Sequence, residues 1–81
     1  MEKEEILEQL TAIFAEVFSD ETIELRDDLS AEDVENWDSL TNMMMIEEIQ
    51  RIFGFRFKLK QLPNLKNVRS IVEAIEQNLA Q

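Results

Sequence analysis

Apolar residues in the first part of the chain recur at intervals of three and four, the spacing of one face of an α-helix. The pattern predicts a first helix from about Lys3 to Phe18, with acidic residues in its first turn that oppose the positive end of the helix dipole. The predicted inward face consists of Ile6, Leu7, Leu10, Ile13, Phe14, Val17 and Phe18.

A second helical pattern begins near Ser39 and ends at Phe53. Asp38 or Ser39 can cap its start, because a short side-chain oxygen accepts hydrogen bonds from free backbone N–H groups. Gly54 fits the left-handed position that closes many helices. The predicted apolar face consists of Leu40, Met43, Ile46, Ile49, Ile52 and Phe53, with Met45 at its margin and Met44 pointing outward.

Residues 19–38 show no sustained period. A loop of this length inside a compact domain is unusual and is often functional. We expect an ordered loop in which Ile23, Leu25 and Leu29 plug against the helices. Trp37 is expected to cover one end of the core.

After Gly54 the sequence alternates strictly between apolar and basic residues up to Lys60, which is the pattern of a half-buried strand. The chain offers no second strand, so we expect an extended connector with Phe55, Phe57 and Leu59 facing the core. A short helical turn is predicted around residues 61–65. A last helix is predicted after Asn67, with an inward stripe of Val68, Ile71, Val72, Ile75 and Leu79.

Together these elements predict an all-α fold: a small three- to four-helix bundle with a long loop between the first two long helices. With 81 residues, the chain is expected to form one domain over residues 1–81 and to be a monomer. No apolar stretch is long enough to cross a membrane, and the acidic start lacks the features of a secretory signal. We therefore expect a cytoplasmic protein.

The composition excludes several classes of chemistry. The chain has no Cys and no His, which removes disulfides, thiolate nucleophiles and the commonest zinc ligands. A metal site is not expected, and an EF-hand loop is not expected either, because it needs a Gly that residues 1–53 do not contain. The net charge of −10 argues against binding to nucleic acid and favours partners with basic faces.

The charge is also distributed unevenly. Residues 1–48 contain 16 acidic residues against Lys3 and Arg26, a net charge of −14. Residues 49–69 contain no acidic residue and six basic ones, a net charge of +6. The simplest interpretation is two solvated faces that attract each other within the fold.

Candidate chemistry centres on the point where the long loop meets the second helix. Ser39 is expected to be exposed there, beside free backbone N–H groups and the positive end of a helix dipole, which favour a phosphate ester. No His or Lys lies near it in sequence to activate it, so it is not expected to act as a nucleophile by itself. Such a serine suits modification by another enzyme. Taken alone, Asp38 and Ser39 are more simply interpreted as an ordinary helix cap, with Leu40 as a core residue.

Asp38-Ser39-Leu40 resembles the Asp-Ser-Leu motif of acyl carrier proteins, and the order of elements along nearly the whole chain is similar to theirs. The resemblance implies a carrier without enzymatic activity. A phosphopantetheinyl transferase would attach 4′-phosphopantetheine from coenzyme A to Ser39, and the arm would hold acyl groups as thioesters. Asp38 would assist the transferase near its Mg²⁺, and Leu40 would pack inward.

The resemblance also implies partners that load and accept acyl groups. The residues expected to contact them are Trp37, Thr41, Met44, Glu47, Glu48 and Arg51, although Trp37 fits packing better. Carriers of fatty-acid synthesis usually have an acid where this chain has Thr41, and their connector is often acidic. This difference indicates a dedicated pathway, such as polyketide, lipid-modification or polysaccharide chemistry.

Two further questions stay open in the sequence. An unmodified acidic helical adaptor would show the same amphipathic pattern as a carrier. The side chains of Met43, Ile46, Phe57 and Leu62 either line a groove for an aliphatic chain or, more simply, fill the core.

Overall fold

The computed structural model describes residues 2–80, which form three α-helices and one short 3₁₀ helix. The helices are α1 (Lys3–Val17), α2 (Ser39–Phe53) and α3 (Val68–Leu79), and the 3₁₀ helix covers Leu62–Asn64. The predicted all-α bundle is confirmed, with α1 packed against both α2 and α3. The end residues of the predicted domain, Met1 and Gln81, lie outside the described range. No helix within residues 2–80 is long and apolar enough to cross a membrane.

The predicted inward faces of α1 and α3 form most of the core. Seven predicted positions in the first segment are buried or partly buried, and Ile6, Leu10, Phe14 and Phe18 are wholly inaccessible. Asn67 caps α3 as predicted, because its side chain accepts the N–H of Ser70 over 2.9 Å. The spacing of three and four therefore placed these two helices correctly.

The long loop is ordered and closes the open side of the bundle. Leu29, Val34 and Trp37 are buried, and Ile23 and Leu25 pack against the core from its edge. The loop is tied to the start of α3 by backbone hydrogen bonds from Val68 N–H to the Leu29 carbonyl and from Arg69 N–H to the Asp27 carbonyl, each 3.0 Å long. The predicted packing of the loop against the helices is confirmed. Val34 is a further buried residue of the loop that was not predicted from the sequence.

The predicted apolar face of α2 is confirmed for Ile49 and Phe53, but the covered side of the helix is rotated about its axis relative to the prediction. Met45, which was placed at the margin, is wholly buried together with Ile49. Ile46 is partly buried, as predicted. Exposure is 69% for Leu40, 62% for Met43 and 40% for Ile52, all of which were expected to face inward. Successive residues turn by 100°, so Leu40 lies about 140° from Met45 and cannot share its contact with α1.

The connector after α2 is extended, as predicted, up to Lys58. Gly54 takes the left-handed conformation (φ 75°, ψ 36°) that ends α2. Phe57 is buried, and its ring meets that of Phe55 edge to face with centroids 4.9 Å apart. Leu59 does not continue the alternation: it is 85% exposed, because the chain turns between Lys58 and Gln61. The predicted inward position of Leu59 is wrong for that reason.

Candidate functional site

A reciprocal capping box holds the start of α2. The Asp38 carboxylate accepts hydrogen bonds from the N–H groups of Leu40 and Thr41, each 3.0 Å long. In return, the Thr41 hydroxyl accepts the N–H of Asp38 over 2.8 Å. The same hydroxyl donates to the carbonyl of Asn36 over 2.6 Å. Asp38 is therefore the cap and Ser39 is the first residue of the helix.

Trp37 anchors the loop end next to this cap. Its indole packs edge to face on Phe14 with centroids 5.5 Å apart and lies 5.3 Å from the ring of Phe18. Its Nε1–H donates to the Oδ1 atom of Asn42, one turn into α2. The predicted cover over the core is confirmed. With 7% exposure the side chain offers little surface to a partner, and its partner contact stays a prediction.

Ser39 stands out among the four serines of the chain. Ser30 and Ser70 are partly buried and use their hydroxyls in hydrogen bonds to Asp33 and to the Asn67 carbonyl. Ser19 is exposed but lies just beyond the end of α1. Only Ser39 combines exposure with the first position of a helix.

An open hollow of about 300 Å³ lies beside Ser39, lined by Ala31, Trp37, Asp38 and Asn42. Within residues 2–80, no recorded hydrogen bond involves the Ser39 hydroxyl. The residues present therefore fit a covalent arm: the oxygen is accessible, and the adjoining surface is open rather than filled.

The electrostatics at Ser39 differ from the expectation in one respect. The Asp38 carboxylate already accepts hydrogen bonds from the N–H groups of Leu40 and Thr41, so these two donors are not free to bind a phosphate. What is left to favour a phosphate here is the N–H of Ser39 and the positive end of the helix dipole. The hydrogen bond from the Thr41 backbone holds the pKa of Asp38 below its ordinary value of 3.8, with smaller contributions from the Thr41 hydroxyl and the Leu40 N–H. Asp38 is thus a carboxylate at neutral pH.

The outer face of α2 carries exposed apolar side chains next to Ser39. Leu40, Met43 and Met44 are exposed by 69%, 62% and 45%, respectively. The outward direction predicted for Met44 is confirmed. The inward packing predicted for Leu40 is wrong, because α1 and the loop cover the opposite side of the helix. Sequence reasoning therefore missed Leu40 and Met43 as surface residues, although three consecutive methionines cannot all share one buried face.

The charged residues of this face largely compensate each other. The Arg51 guanidinium donates two hydrogen bonds to the Glu48 carboxylate, of 2.7 Å from Nε and 3.1 Å from Nη2. This hydrogen bonding lowers the pKa of Glu48 and raises that of Arg51. Glu47 is exposed and has no ion pair within residues 2–80. The face is therefore apolar near Ser39, with about one uncompensated negative charge further along.

The four residues expected either to line a groove or to fill the core are divided between the two. Phe57 is buried, Ile46 and Leu62 are partly buried, and Met43 is exposed. They border an open groove of about 240 Å³ between α2 and the connector, with Arg56 and Leu59 on its rim.

The sequence matches the family described as "Phosphopantetheine attachment site" over residues 8–75. It is 32% identical over 79 residues to an acyl carrier protein of Coprothermobacter proteolyticus, a match that covers 98% of this chain and 96% of the relative. Its fold is similar to the solution NMR structure of a holo acyl carrier protein from Geobacter metallireducens. That likeness has a TM-score of 0.85 and 38% sequence identity, and it covers 91% of this chain and 85% of the other.

A helical bundle with this family match is a carrier of a covalently attached arm, not an enzyme. The chain belongs to the acyl carrier protein family, the phosphopantetheine-bearing carriers. The arm supplies a terminal thiol that holds acyl groups as thioesters. Membership implies interaction with a phosphopantetheinyl transferase and with biosynthetic enzymes.

Proposed function

We propose that Ser39 is the residue that bears the phosphopantetheine arm. The observation that carries this assignment is its position: it is an exposed serine hydroxyl at the first residue of a helix. The hollow beside it leaves a path for the arm, and the dipole of α2 favours the negative charge of the phosphodiester. The buried Trp37 and the capping box support the hydroxyl on a rigid junction.

Asp38 is proposed to help the transferase bind Mg²⁺ at this junction. Its Oδ1 atom accepts the hydrogen bonds that cap α2. Within the described part of the chain no hydrogen bond or ion pair is recorded for its Oδ2 atom, which leaves that oxygen for a metal held by the partner. The lowered pKa keeps the group ionised, as a hard cation requires. Thr41 acts as a positioning residue, because its hydroxyl is engaged within the capping box.

Partner enzymes are proposed to dock on the outer face of α2. Fourteen of the 16 acidic residues in the first 48 positions precede this helix. On α2 itself, Glu48 is paired with Arg51, so the surface nearest Ser39 is made of Leu40, Met43 and Met44. Methionine adapts to partner surfaces of different shape. The sequence led us to expect partners with strongly basic faces. We now propose partners whose contact surface for α2 is mainly apolar, with one basic residue opposite Glu47.

The carrier is proposed to serve a dedicated pathway rather than bulk fatty-acid synthesis. It is also proposed to be a single cytoplasmic domain that acts as a monomer. Thr41 replaces the acid that usually follows the motif leucine, and the connector is basic from Arg56 to Lys60. Enzymes that recognise an acidic α2 by charge would gain little from this surface.

The assignment is tested by incubating the protein with coenzyme A, Mg²⁺ and a broad-specificity phosphopantetheinyl transferase, followed by intact-mass measurement. We expect a gain of one phosphopantetheine that is lost in Ser39→Ala. Ser19→Ala is the matched control, because Ser19 is also exposed but lies outside a helix start. A gain that persists in Ser39→Ala would place the arm elsewhere, and no gain in the unaltered protein would favour an unmodified adaptor.

A further inference from the structure

Four basic side chains in the second half of the chain have no ion-pair partner within the part of the chain that the structure describes. Within residues 2–80, the ion pairs join Asp27 to Lys3 and Arg69, Arg26 to Asp28 and Asp33, and Arg51 to Glu48. None of them involves Arg56, Lys58, Lys60 or Lys66, and all four are exposed. Within residues 2–80, the ion pairs that join the acidic residues 1–48 to the basic residues 49–69 are Arg69–Asp27 and Arg51–Glu48, and neither of them compensates the connector.

The connector holds three of these cations on one rigid segment. Because the chain is extended from Phe55 to Lys58 and Phe57 is buried, Arg56 and Lys58 point to the opposite, solvent side. The turn that follows is closed by a hydrogen bond from Gln61 N–H to the Lys58 carbonyl and by one from Lys58 N–H to Gln61 Oε1, both 2.8 Å long. The cations are thus presented by ordered backbone.

Side-chain amides attach this segment to both neighbouring helices. Phe57 N–H donates to Gln50 Oε1 on α2 over 3.0 Å. Asn78 Nδ2 on α3 donates to Gln61 Oε1, also over 3.0 Å. Since the segment is ordered before any partner arrives, docking on it costs little conformational entropy.

An apolar anchor point accompanies the charges. Leu59 lies at the turn between Lys58 and Lys60 and is 85% exposed. Leu59 and Arg56 both border the groove of about 240 Å³ whose other walls include Met43, Phe57 and Leu62. Cations around an apolar groove fit an apolar side chain flanked by carboxylates.

We propose that Arg56, Lys58, Leu59 and Lys60 form a second docking surface, which binds an acidic protein segment carrying one apolar side chain. The charge of this surface is positive, opposite in sign to that of the acidic residues 1–48. A protein segment fits better than an extended polyanion such as nucleic acid or an anionic membrane, because Glu47 borders the same groove and the chain as a whole carries −10. The surface does not depend on modification of Ser39.

The test uses the unmodified, ¹⁵N-labelled protein and a synthetic peptide with one leucine flanked on each side by Asp and Glu residues. We expect amide resonances of residues 56–60 and Met43 to shift, with a dissociation constant at or below about 1 mM. A peptide with Asn and Gln in place of the acids should bind at least about fivefold more weakly, because the charge complementarity is lost.

Two matched variants locate the interaction. Lys60→Glu is expected to weaken peptide binding by about fivefold, whereas Lys3→Glu, with the same change in net charge on α1, should leave it within about twofold. Leu59→Ser tests the apolar anchor and should also weaken binding. Circular dichroism checks that each variant is folded.

Several results would overturn the proposal. They are absence of binding at millimolar peptide, equal weakening by Lys60→Glu and Lys3→Glu, or resonance shifts confined to other surfaces. Tighter binding to duplex DNA or to anionic phospholipid vesicles would reassign the surface to polyanions. Dimerisation without peptide that Lys60→Glu abolishes would make a second copy of this chain the occupant instead.

Discussion

The Nε1–H group of Trp37 donates a hydrogen bond of 2.9 Å to the Oδ1 atom of Asn42, and this contact spans the cap and Ser39 between them. It ties the end of the long loop to the first turn of α2. Since the Trp37 ring also packs on Phe14 and Phe18, the position of the candidate attachment site depends directly on the core.

Asn42→Ala is therefore expected to destabilise the protein by about 1–3 kcal/mol, because it leaves the largely buried indole N–H without an acceptor. Urea unfolding followed by Trp37 fluorescence measures the effect. Asn42→Asp keeps an oxygen at the same position, so its free energy of unfolding should fall clearly less than that of Asn42→Ala. Equal losses in the two variants would show that the hydrogen bond does not anchor the loop.

The rotation of α2 is tested by two neighbouring methionines. Met45→Ala is expected to lower the free energy of unfolding by about 2–5 kcal/mol, because it leaves a cavity at a wholly buried position. Met43→Ala, two residues earlier on the exposed side, should change the free energy of unfolding by no more than about 0.5 kcal/mol. Chemical denaturation of both variants gives the comparison, and a larger loss in Met43→Ala would contradict the orientation of the helix.

The capping box at the start of α2 is expected to make the stability of the protein depend on pH in the acidic range. Because hydrogen bonds hold the pKa of Asp38 below 3.8 in the folded state, its contribution to stability is fully present above that pH. The contribution is lost as the pH falls through the lowered, folded-state pKa. A carboxyl titration by NMR should place Asp38 below 3.8 and place it higher in Thr41→Val, which lacks the hydroxyl.

The Thr41→Val variant retains the backbone N–H, which is the main cause of the shift. We therefore expect its Asp38 to titrate between the value of the unaltered protein and 3.8. Identical titration curves for the two proteins would assign no part of the shift to the Thr41 hydroxyl.

The apolar docking face on α2 is tested by Met44→Glu. Its kcat/KM with a cognate acyl-loading or acyl-accepting enzyme is expected to fall about tenfold, a loss of about 1.4 kcal/mol in transition-state binding. Gln9→Glu on the exposed side of α1 is the control with the same change in charge. Unchanged kinetics in Met44→Glu would remove this residue from the interface.

Salt provides a second readout for the same face. The Glu48–Arg51 pair leaves little net charge on α2, so kcat/KM should vary weakly with ionic strength. A steep fall with added salt would indicate recognition by the acidic residues outside α2.

How far the sequence could predict this molecule differs between its helices. In α1 and α3 the apolar residues form a single stripe, so the periodicity alone identified the buried side, including Phe14 and Ile71. The Asn67 cap and the left-handed Gly54 could also be predicted, and the cap of α2 could be narrowed to Asp38 or Ser39, because each depends on backbone groups within a few residues.

In α2 the apolar residues lie almost all around the helix, from Leu40 through Met45 to Ile52. A periodic pattern cannot choose among them, and the hydrophobic set alone gave the wrong side for Leu40 and Met43. The same limit applies to Leu59, whose place in an alternating run predicted burial although a turn directs it to solvent.

The amino-acid sequence by itself determined where the three long helices begin, the Asn67 cap, the glycine that ends α2 and the serine at the start of α2, because these depend on interactions between near neighbours in the chain. Only the tertiary structure decided which side of α2 is covered, which cations within residues 2–80 remain unpaired and that Leu59 is exposed. Those outcomes depend on how α1, the loop and the connector pack around α2, and such contacts join residues far apart in sequence.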